Sequence, residues 1–193
     1  EVMREAVRWV ARRHKFDSAM LWAESLPAWD GVQRVASFCP EYLGTANTEY
    51  TRALGTYLWT AAAGRVLSPG CQADMMVVLV GAQGVMKTSS VREIAPNEDY
   101  FTEIDFSERD DNLSRRMRGR LVAEIGELKG LHSRDTEASK AFITRRYEDW
   151  VPKFKEFSTN FPRRIIFIGT TNQPEFLADE TGNRRFLPVR VQQ

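Results

Sequence analysis

The sequence contains little cysteine, almost no excess charge and no long apolar run. Its two cysteines, Cys39 and Cys71, are too few and too far apart for a disulfide framework, a metal site or a redox motif, and they suit a reducing cytoplasm. No apolar stretch approaches the length of a bilayer, and the N-terminus carries charges throughout instead of an apolar signal core. We therefore expect a cytoplasmic protein with no membrane partner.

The formal net charge of the 193 residues is only +1, so the charge of the whole molecule does not indicate a nucleic-acid partner. Any DNA contact has to come from local basic clusters, each of which could equally be a solvated helix or loop face. The candidate clusters are Arg115, Arg116, Arg118 and Arg120, then Arg145 and Arg146, then Arg163 and Arg164.

Hydrophobic residues make up 42% of the chain, which is enough to bury a core. From Val2 to about Gly64 the apolar residues recur at helical spacing, with a turn at Pro27–Gly31. We expect a helical N-terminal subdomain over residues 1–70 and an α/β core over residues 71–193. Because the chain starts with Glu1 and stops in the strand-like segment Val189–Gln193, we also expect it to be a piece of a longer protein.

Within residues 71–193, apolar strands alternate with helical segments. This alternation predicts a largely parallel central sheet that helices cover on both faces. The expected strands are 74–80, 100–104, 120–125 and 164–170. The expected helices are one that opens near Lys87 and ends by Pro96, one over about 111–118 and one over about 136–143.

The first of these strands leads into a glycine-containing loop that ends in Lys87 and Thr88 and opens a helix. Such a loop can curl its backbone N–H groups around phosphates, while the lysine charge and the threonine hydroxyl face the anion and its Mg²⁺. The alternative is an ordinary strand-to-helix turn with a solvated lysine. The residues that we expect to hold ATP are Gly81, Gln83, Gly84, Val85, Met86, Lys87, Thr88 and Ser89.

The loop departs from the pattern G-x-x-x-x-G-K-[ST] at Met86, where the pattern has glycine. A side chain at this position is compatible with bound phosphates if its φ is negative and its Cβ points away from them. We expect Gly84 to supply the flexible backbone instead. The departure therefore bears on the rate of hydrolysis more than on nucleotide binding.

Polar residues lie at or just after the ends of the expected strands 120–125 and 164–170, at the edge where α/β sheets bind ligands. Glu124 and Glu127 could hold Mg²⁺ through water and orient the attacking water, although the sequence does not assign one role to each acid. Asn172 could hydrogen-bond a γ-phosphate or the attacking water, or could simply be a turn residue. Arg184 and Arg185 could stabilise charge on the transferred phosphoryl group from a neighbouring subunit, or could form a salt bridge with Asp179 or Glu180.

Taken in order, these motifs resemble the virulence-associated protein E family. The resemblance runs from about Trp29 to the end and rests on six segments: Trp29–Gly31, Gly81–Thr88, Glu124–Leu128, Lys140–Thr144, Phe167–Asn172 and Thr181–Phe186. That family comprises P-loop ATPases of phages, prophages and mobile elements, often fused to a primase and similar to superfamily 3 helicases and AAA+ proteins.

The resemblance implies a role for each motif. Lys87 and Thr88 bind phosphate and Mg²⁺, Glu124 and Glu127 are the Walker B acids, and Thr88 and Glu124 are the metal candidates. Asn172 is sensor 1, and Arg184 or Arg185 is the arginine finger. Lys140 lies on a helix near the site or the nucleic-acid channel. The segment Tyr147–Val151 departs from the family, because a more basic, proline-containing stretch is expected there.

The leading hypothesis is a P-loop ATPase that works as a DNA helicase or translocase in the replication of a phage, prophage or mobile element. It implies ATP, Mg²⁺, single-stranded DNA or a fork, a homo-oligomer such as a hexameric ring, and an associated primase. The alternative is an adaptor or loader that binds ATP with little or no hydrolysis, which Met86 favours. A small-molecule kinase is a weaker alternative, because no acceptor pocket is evident.

Overall fold

The computed structural model describes residues 2–131, 136–151, 156–173 and 183–192. Its contacts divide the chain into two compact units, residues 1–32 and 33–193. The division does not coincide with the boundary expected at residue 70, because the helices between residues 33 and 70 pack within the second unit. No described helix is long and apolar enough to span a membrane.

The first unit consists of two helices and a turn, and the helices are α1 (Val2–Arg13) and α2 (Ser18–Glu24). Asp17 caps α2 by accepting a backbone hydrogen bond in the first turn. The indole of Trp29 donates to the carbonyl of Val32 over 3.0 Å, and Gly31 has a φ of 83°. These contacts confirm the turn that the sequence predicts around Asp30 and Gly31.

The second unit is an α/β structure. Its helices are α3 (Phe38–Leu43), α4 (Glu49–Leu67), α5 (Lys87–Ile94), α6 (Asp110–Met117) and α7 (Thr136–Thr144). Its strands are β1 (Met76–Val80), β2 (Phe101–Glu103), β3 (Val122–Ile125), β4 (Tyr147–Trp150), β5 (Thr159–Pro162), β6 (Ile166–Thr171) and β7 (Phe186–Arg190).

Five strands form one sheet in the order β2-β3-β6-β1-β7, and every neighbouring pair is parallel. The predicted α/β fold with a largely parallel sheet is therefore confirmed. Strands β4 and β5 pair antiparallel in a separate two-stranded sheet, here called the β4–β5 ribbon, which the sequence analysis did not predict.

Strands β1 and β6 are buried along their whole length, so both faces of the sheet are covered, as predicted. The core on one face contains the alternate residues Met76, Val78 and Val80 of β1, together with Phe142 of α7 and Phe167 of β6. Because these strands are apolar almost throughout, the polar groups of the central sheet concentrate at the strand ends.

Helix α5 begins at Lys87 and ends at Ile94, two residues before Pro96. The helix was predicted to end by Pro96, because the ring of a proline disfavours helical backbone at the residue before it. Strand β7 begins at Phe186, earlier than the strand-like segment expected at Val189–Gln193. Its pairing with β1 puts the last described segment directly beside the β1–α5 connection.

Candidate functional site

The carboxyl ends of β3, β6 and β1 lie side by side at one edge of the sheet, because the three strands are adjacent and parallel. Val80, the last residue of β1, pairs with Thr171, the last residue of β6. The backbone N–H of Gly81 then donates to the carbonyl of Thr171 over 3.1 Å. In open α/β sheets, ligands bind in the crevice outside this edge.

Backbone geometry, more than side chains, shapes the loop over residues 81–86. A Cβ added at Gly81 would lie 2.9 Å from Cγ2 of Val191, so only glycine fits there without a shift. Gly84 has a φ of 91°, which glycine adopts at little cost. The loop therefore turns at Gly84 through a backbone conformation that residues with a Cβ rarely adopt.

Met86 also has left-handed backbone, with a φ of 55° and a ψ of 28°. The condition stated above for a side chain at this position, a negative φ, is therefore not met, and Met86 has a left-handed backbone that glycine adopts more readily. Its side chain is 68% exposed. As the N-cap of α5 it offers no side-chain acceptor, so the first N–H groups of the helix face the crevice without a side-chain cap. Such N–H groups can bind an anion.

Lys87, the first residue of α5, folds back over the loop. Its ammonium donates to the carbonyls of Gly81 (2.8 Å) and Ala82 (2.9 Å), and the residue is only 8% exposed. Lys87 is therefore not the solvated surface lysine of the alternative interpretation. Its charge lies inside the loop, where it is held by backbone oxygens that a bound anion would replace.

Glu124 is the centre of the polar cluster at this edge and is 1% exposed. Its Oε1 accepts a hydrogen bond from Oγ1 of Thr88 and another from Oγ1 of Thr170, each over 2.8 Å. Its Oε2 has no hydrogen-bond partner in the described part of the chain. A buried acceptor left without a partner is costly, so this oxygen suits a metal-bound water or another donor.

These residues fit Mg²⁺, which is usually held by one or two carboxylates together with waters and substrate phosphates. Glu124 and Thr88 supply one carboxylate and one hydroxyl at the mouth of the loop. No group of three His, Cys, Asp or Glu side chains that could hold a metal ion occurs among the described residues.

Thr170 is the residue of this cluster that the sequence analysis did not single out. It lies in β6, one residue before the end of the strand, and is 2% exposed. The signal available in the sequence was a hydroxyl residue at the end of an otherwise apolar strand that leads to Asn172. The hydrogen bond from Thr170 to Glu124 links the two neighbouring strands at the candidate site.

Glu127 and Asn172 lie at the same edge but do not hydrogen-bond to Glu124. Glu127 is exposed and has left-handed backbone (φ 50°), as does the following residue, Leu128 (φ 48°). Leu128 packs under the turn, where a Cβ added at Gly169 would lie 2.6 Å from it. Asn172 is exposed directly after β6. Left-handed backbone at two consecutive residues that are not glycine is strained, and such strain is typical of functional turns.

Arg184 and Arg185 lie at the opposite edge of the sheet, where the parallel strands β1 and β7 begin. They immediately precede β7, and the first residue of β7, Phe186, pairs with Met76 at the start of β1. The length of β1 separates the two edges by roughly 13 Å. The structure therefore does not bring either arginine to Lys87 within one chain. The acids offered as alternative partners, Asp179 and Glu180, lie outside the described residues.

The virulence-associated protein E-like domain matches this chain over residues 23–193. The chain belongs to this family. The resemblance to this family that the sequence motifs predicted is thus confirmed over residues 23–193. No curated protein sequence matches it significantly.

Two solved structures of the NrS-1 C-terminal region, both in the apo A form, resemble the VapE-like chain. Each has a TM-score of 0.58 and 16% sequence identity to it. The matches cover 93% and 92% of this chain but 41% and 42% of those chains, so it spans less than half of their length. At this identity the similarity concerns the fold alone.

The basic cluster on and after α6 of the VapE-like domain divides into two pairs. Arg116 forms an ion pair with Glu108 (3.2 Å), and Arg120 donates to the backbone carbonyls of Glu98 and Asp99. The other two arginines stack on aromatic rings of the β4–β5 ribbon. The guanidinium of Arg118 lies 4.2 Å from the Phe161 ring, and that of Arg115 lies 5.7 Å from the Trp150 ring.

Two other basic candidates are buried in the VapE-like domain. Lys140 lies on α7, as the resemblance implies, but it is 1% exposed, so its expected contact with DNA is a poor fit to its position. Arg163 is 2% exposed and forms an ion pair with Glu148, while its Nη1 donates to the carbonyls of Phe142 and Ile143. Burial lowers the pKa of Arg163 to about 10. Both side chains therefore lie in the interior of the domain.

Proposed function

We propose that this chain is a P-loop ATPase that drives a helicase or translocase in the replication of a phage, prophage or mobile element. The observation that carries the proposal is the convergence of Thr88 and Thr170 on the buried Glu124, whose second oxygen has no partner in the described structure. This acid stands beside Lys87 at the start of a helix without a side-chain cap, at the ligand-binding edge of a parallel sheet.

The residues of this edge are suited to divide the work of phosphoryl transfer. The N–H groups at the start of α5 and the ammonium of Lys87 bind the phosphates once Lys87 leaves the carbonyls of Gly81 and Ala82. The hydroxyl of Thr88 and the carboxylate of Glu124 hold Mg²⁺. When bound, Mg²⁺ neutralises charge on the β- and γ-phosphate oxygens.

Glu127 and Asn172 are the candidates for orienting the attacking water. Both are exposed at the carboxyl edge, next to the strand ends that carry Glu124 and Thr170. Their positions differ in accessibility from that of Glu124, which is buried and already accepts two hydrogen bonds. We therefore assign the metal role to Glu124 and the water-orienting role to Glu127, with Asn172 as the sensor of the γ-phosphate.

Arg184 and Arg185 support an oligomer in this proposal. Because they lie at the edge opposite Lys87, a role in catalysis requires that a neighbouring subunit supply them. A homo-oligomer in which each subunit presents its arginines to the next site satisfies this requirement, and a closed ring does so without leaving an incomplete site.

Single-stranded DNA is the proposed nucleic-acid partner. The surface that supports it combines the exposed Arg115 and Arg118 with the half-buried ring of Phe161 in the β4–β5 ribbon, on which Arg118 stacks. Cationic and aromatic groups together bind single strands with little dependence on sequence. A primase associated with the chain follows only from the family resemblance and is part of the proposal.

The left-handed backbone of Met86 supports a second candidate, an adaptor or loader that binds ATP without turnover. A side chain stands where the loop pattern has glycine, and Lys87 is bonded to the loop itself. A loop that changes shape slowly could bind ATP and hydrolyse it poorly. In this case the nucleotide would fix an assembly on DNA and would not drive movement.

Phosphate release from ATP, with and without single-stranded DNA, tests both candidates. We expect DNA to stimulate turnover, Lys87→Ala to lower it by on the order of 100-fold and Arg185→Ala by on the order of 1,000-fold. Arg52→Ala, which removes an exposed arginine of α4, serves as the matched control and should leave turnover unchanged. Tight ATP binding without turnover, rescued by Met86→Gly, would exclude the motor and support the adaptor.

A further inference from the structure

An apolar pocket of about 640 Å³ opens beside the β1–α5 loop, within the second unit of the chain. Its volume is in the range of about 300–1,000 Å³ that is usual for small-molecule sites. Helices α3, α4 and α5 form its walls, and the residues of interest are Phe38, Tyr42, Trp59, Met86, Ser89 and Glu93. The role proposed above for the loop does not use this pocket.

Three aromatic rings form an ordered cluster in one wall. The Phe38 ring stacks on Tyr42 with centroids 5.4 Å apart and meets Trp59 edge-on at 5.1 Å. Tyr42 is 61% exposed although it packs on Phe38, so an aromatic face remains open to solvent. A flat aromatic ligand could stack on such a face.

The opposite wall is continuous with the candidate phosphate site. Met86 ends the loop, and Ser89 lies two residues after Lys87 on the first turn of α5. The pocket therefore opens within about one helical turn, roughly 5 Å, of the residue that is proposed to bind phosphate. A ligand with phosphates at the helix start and a ring system in the pocket would connect the two.

Glu93 gives the pocket a hydrogen-bonding group. It is exposed on α5, and its carboxylate makes no hydrogen bond or ion pair within the described residues. A carboxylate only accepts hydrogen bonds when ionised, so it selects a ligand that presents an N–H donor. The exocyclic amino group of adenine is such a donor, whereas unsubstituted purine, which has a hydrogen atom at the same position and no N–H on its six-membered ring, offers none.

We propose that this pocket binds the nucleobase of the nucleoside triphosphate, with the aromatic cluster stacking on the ring and Glu93 accepting from its exocyclic amino group. The proposal rests on the proposed function, because it assumes that phosphates bind at Lys87. It assigns the choice of nucleotide to α3, α4 and α5, outside the loop itself.

Direct binding measurements on this chain with ATP, purine riboside triphosphate and inorganic tripolyphosphate test the proposal. We expect Tyr42→Ala to weaken ATP binding about tenfold or more and to leave tripolyphosphate binding unchanged. Glu93→Ala should lower the affinity for ATP to that for purine riboside triphosphate. Both residues are exposed, so neither change threatens the fold. Tyr147→Ala, an exposed tyrosine elsewhere, is the control.

Trp59 provides a second readout that does not depend on activity. Its fluorescence should change on addition of ATP but not of tripolyphosphate, and Trp59→Phe should abolish that difference. If Lys87→Ala weakens both ligands while Tyr42→Ala and Glu93→Ala leave ATP affinity unchanged, the pocket does not bind the base and the ATPase proposal survives. If neither ligand binds to the unmodified chain, both proposals fail. Unchanged ATP affinity with altered self-association in Tyr42→Ala would mean that a second copy covers the pocket.

Discussion

Met86 holds a backbone conformation that residues with a Cβ avoid. Left-handed backbone costs such a residue about 1–2 kcal/mol, whereas glycine adopts it freely. Met86→Gly removes this cost but gives the unfolded chain more freedom, which offsets part of the gain. We expect the free energy of unfolding to rise by about 0.5–1 kcal/mol in urea denaturation.

Met86→Ala is the matched control for this change. It removes the exposed side chain but keeps the left-handed cost, so it should not stabilise the protein. If alanine stabilised the chain as much as glycine does, the side chain and not the backbone would be the source of the strain.

Cys39 is completely buried on α3, and burial raises the pKa of its thiol from 9.0 to about 11. Between these values the unfolded chain loses the proton while the folded chain keeps it. Stability from this thiol is therefore complete below pH 9 and is lost as the pH rises to about 11, by up to about 3 kcal/mol.

Unfolding free energies of the unmodified protein and of Cys39→Ala between pH 8 and 11.5 isolate this contribution. The variant creates a small cavity whose cost does not depend on pH, and other titrating groups are common to both proteins. We expect the unmodified protein to lose stability relative to Cys39→Ala as the pH rises. A constant difference would contradict the raised pKa.

At the scale of elements, apolar runs together with the glycines and prolines that bound them were enough to predict most strands of the central sheet. Strand β1 and helix α5 follow from an apolar run, a glycine loop and a proline, all of which are local signals. The β4–β5 ribbon escaped prediction because its inward residues, Glu148 and Trp150, alternate a charge with an aromatic ring. A half-buried strand is identified in a sequence by apolar residues at every second position, and an acid at one of the buried positions hides this alternation.

The partner that permits this burial is Arg163, which is distant in sequence and lies directly after β5. Glu148 also accepts from Ser114 of α6 (3.2 Å), and Arg163 donates to the last carbonyls of α7. Its own carbonyl accepts from Arg65 of α4 over 3.1 Å. The buried pair thus joins the ribbon to three helices.

Removing one member of this pair leaves the other charge buried and unpaired. We expect Glu148→Ala to lower the free energy of unfolding by about 3–5 kcal/mol, as measured by chemical denaturation. The double variant Glu148→Leu/Arg163→Met replaces the pair by apolar groups and should recover much of that loss. A double variant as unstable as Glu148→Ala would mean that the hydrogen bonds of Arg163 to α7, rather than the charge pair, determine the effect.

At the scale of the whole molecule, the candidate site depends on strand order, which no local signal specifies. The sequence placed Glu124 and Asn172 at the ends of two expected strands, and the observed order β3-β6-β1 brings those strand ends to the loop. It did not reveal that β7 lies on the far side of β1, which puts Arg185 at the opposite edge. Such pairings depend on contacts between distant parts of the chain.

This placement makes a sharp prediction for mixed assemblies. Lys87→Ala removes phosphate binding but keeps the arginine, whereas Arg185→Ala keeps phosphate binding but loses the arginine. If the arginine acts on the site of a neighbouring subunit, a site formed by an Arg185→Ala subunit and completed by a Lys87→Ala neighbour contains both groups. Random mixing in equal amounts then restores about a quarter of the sites, because each shared site requires one particular pairing of the two subunits.

Phosphate release from the mixture, measured against each variant alone, checks this prediction. The mixture should hydrolyse ATP faster than either variant, and dilution that separates the subunits should abolish the gain. An equal mixture of Lys87→Ala with a Lys87→Ala/Arg185→Ala double variant is the control and should remain inactive, because no site in it binds phosphate. No recovery in the first mixture, under conditions where both variants assemble, would mean that the arginine does not act between subunits.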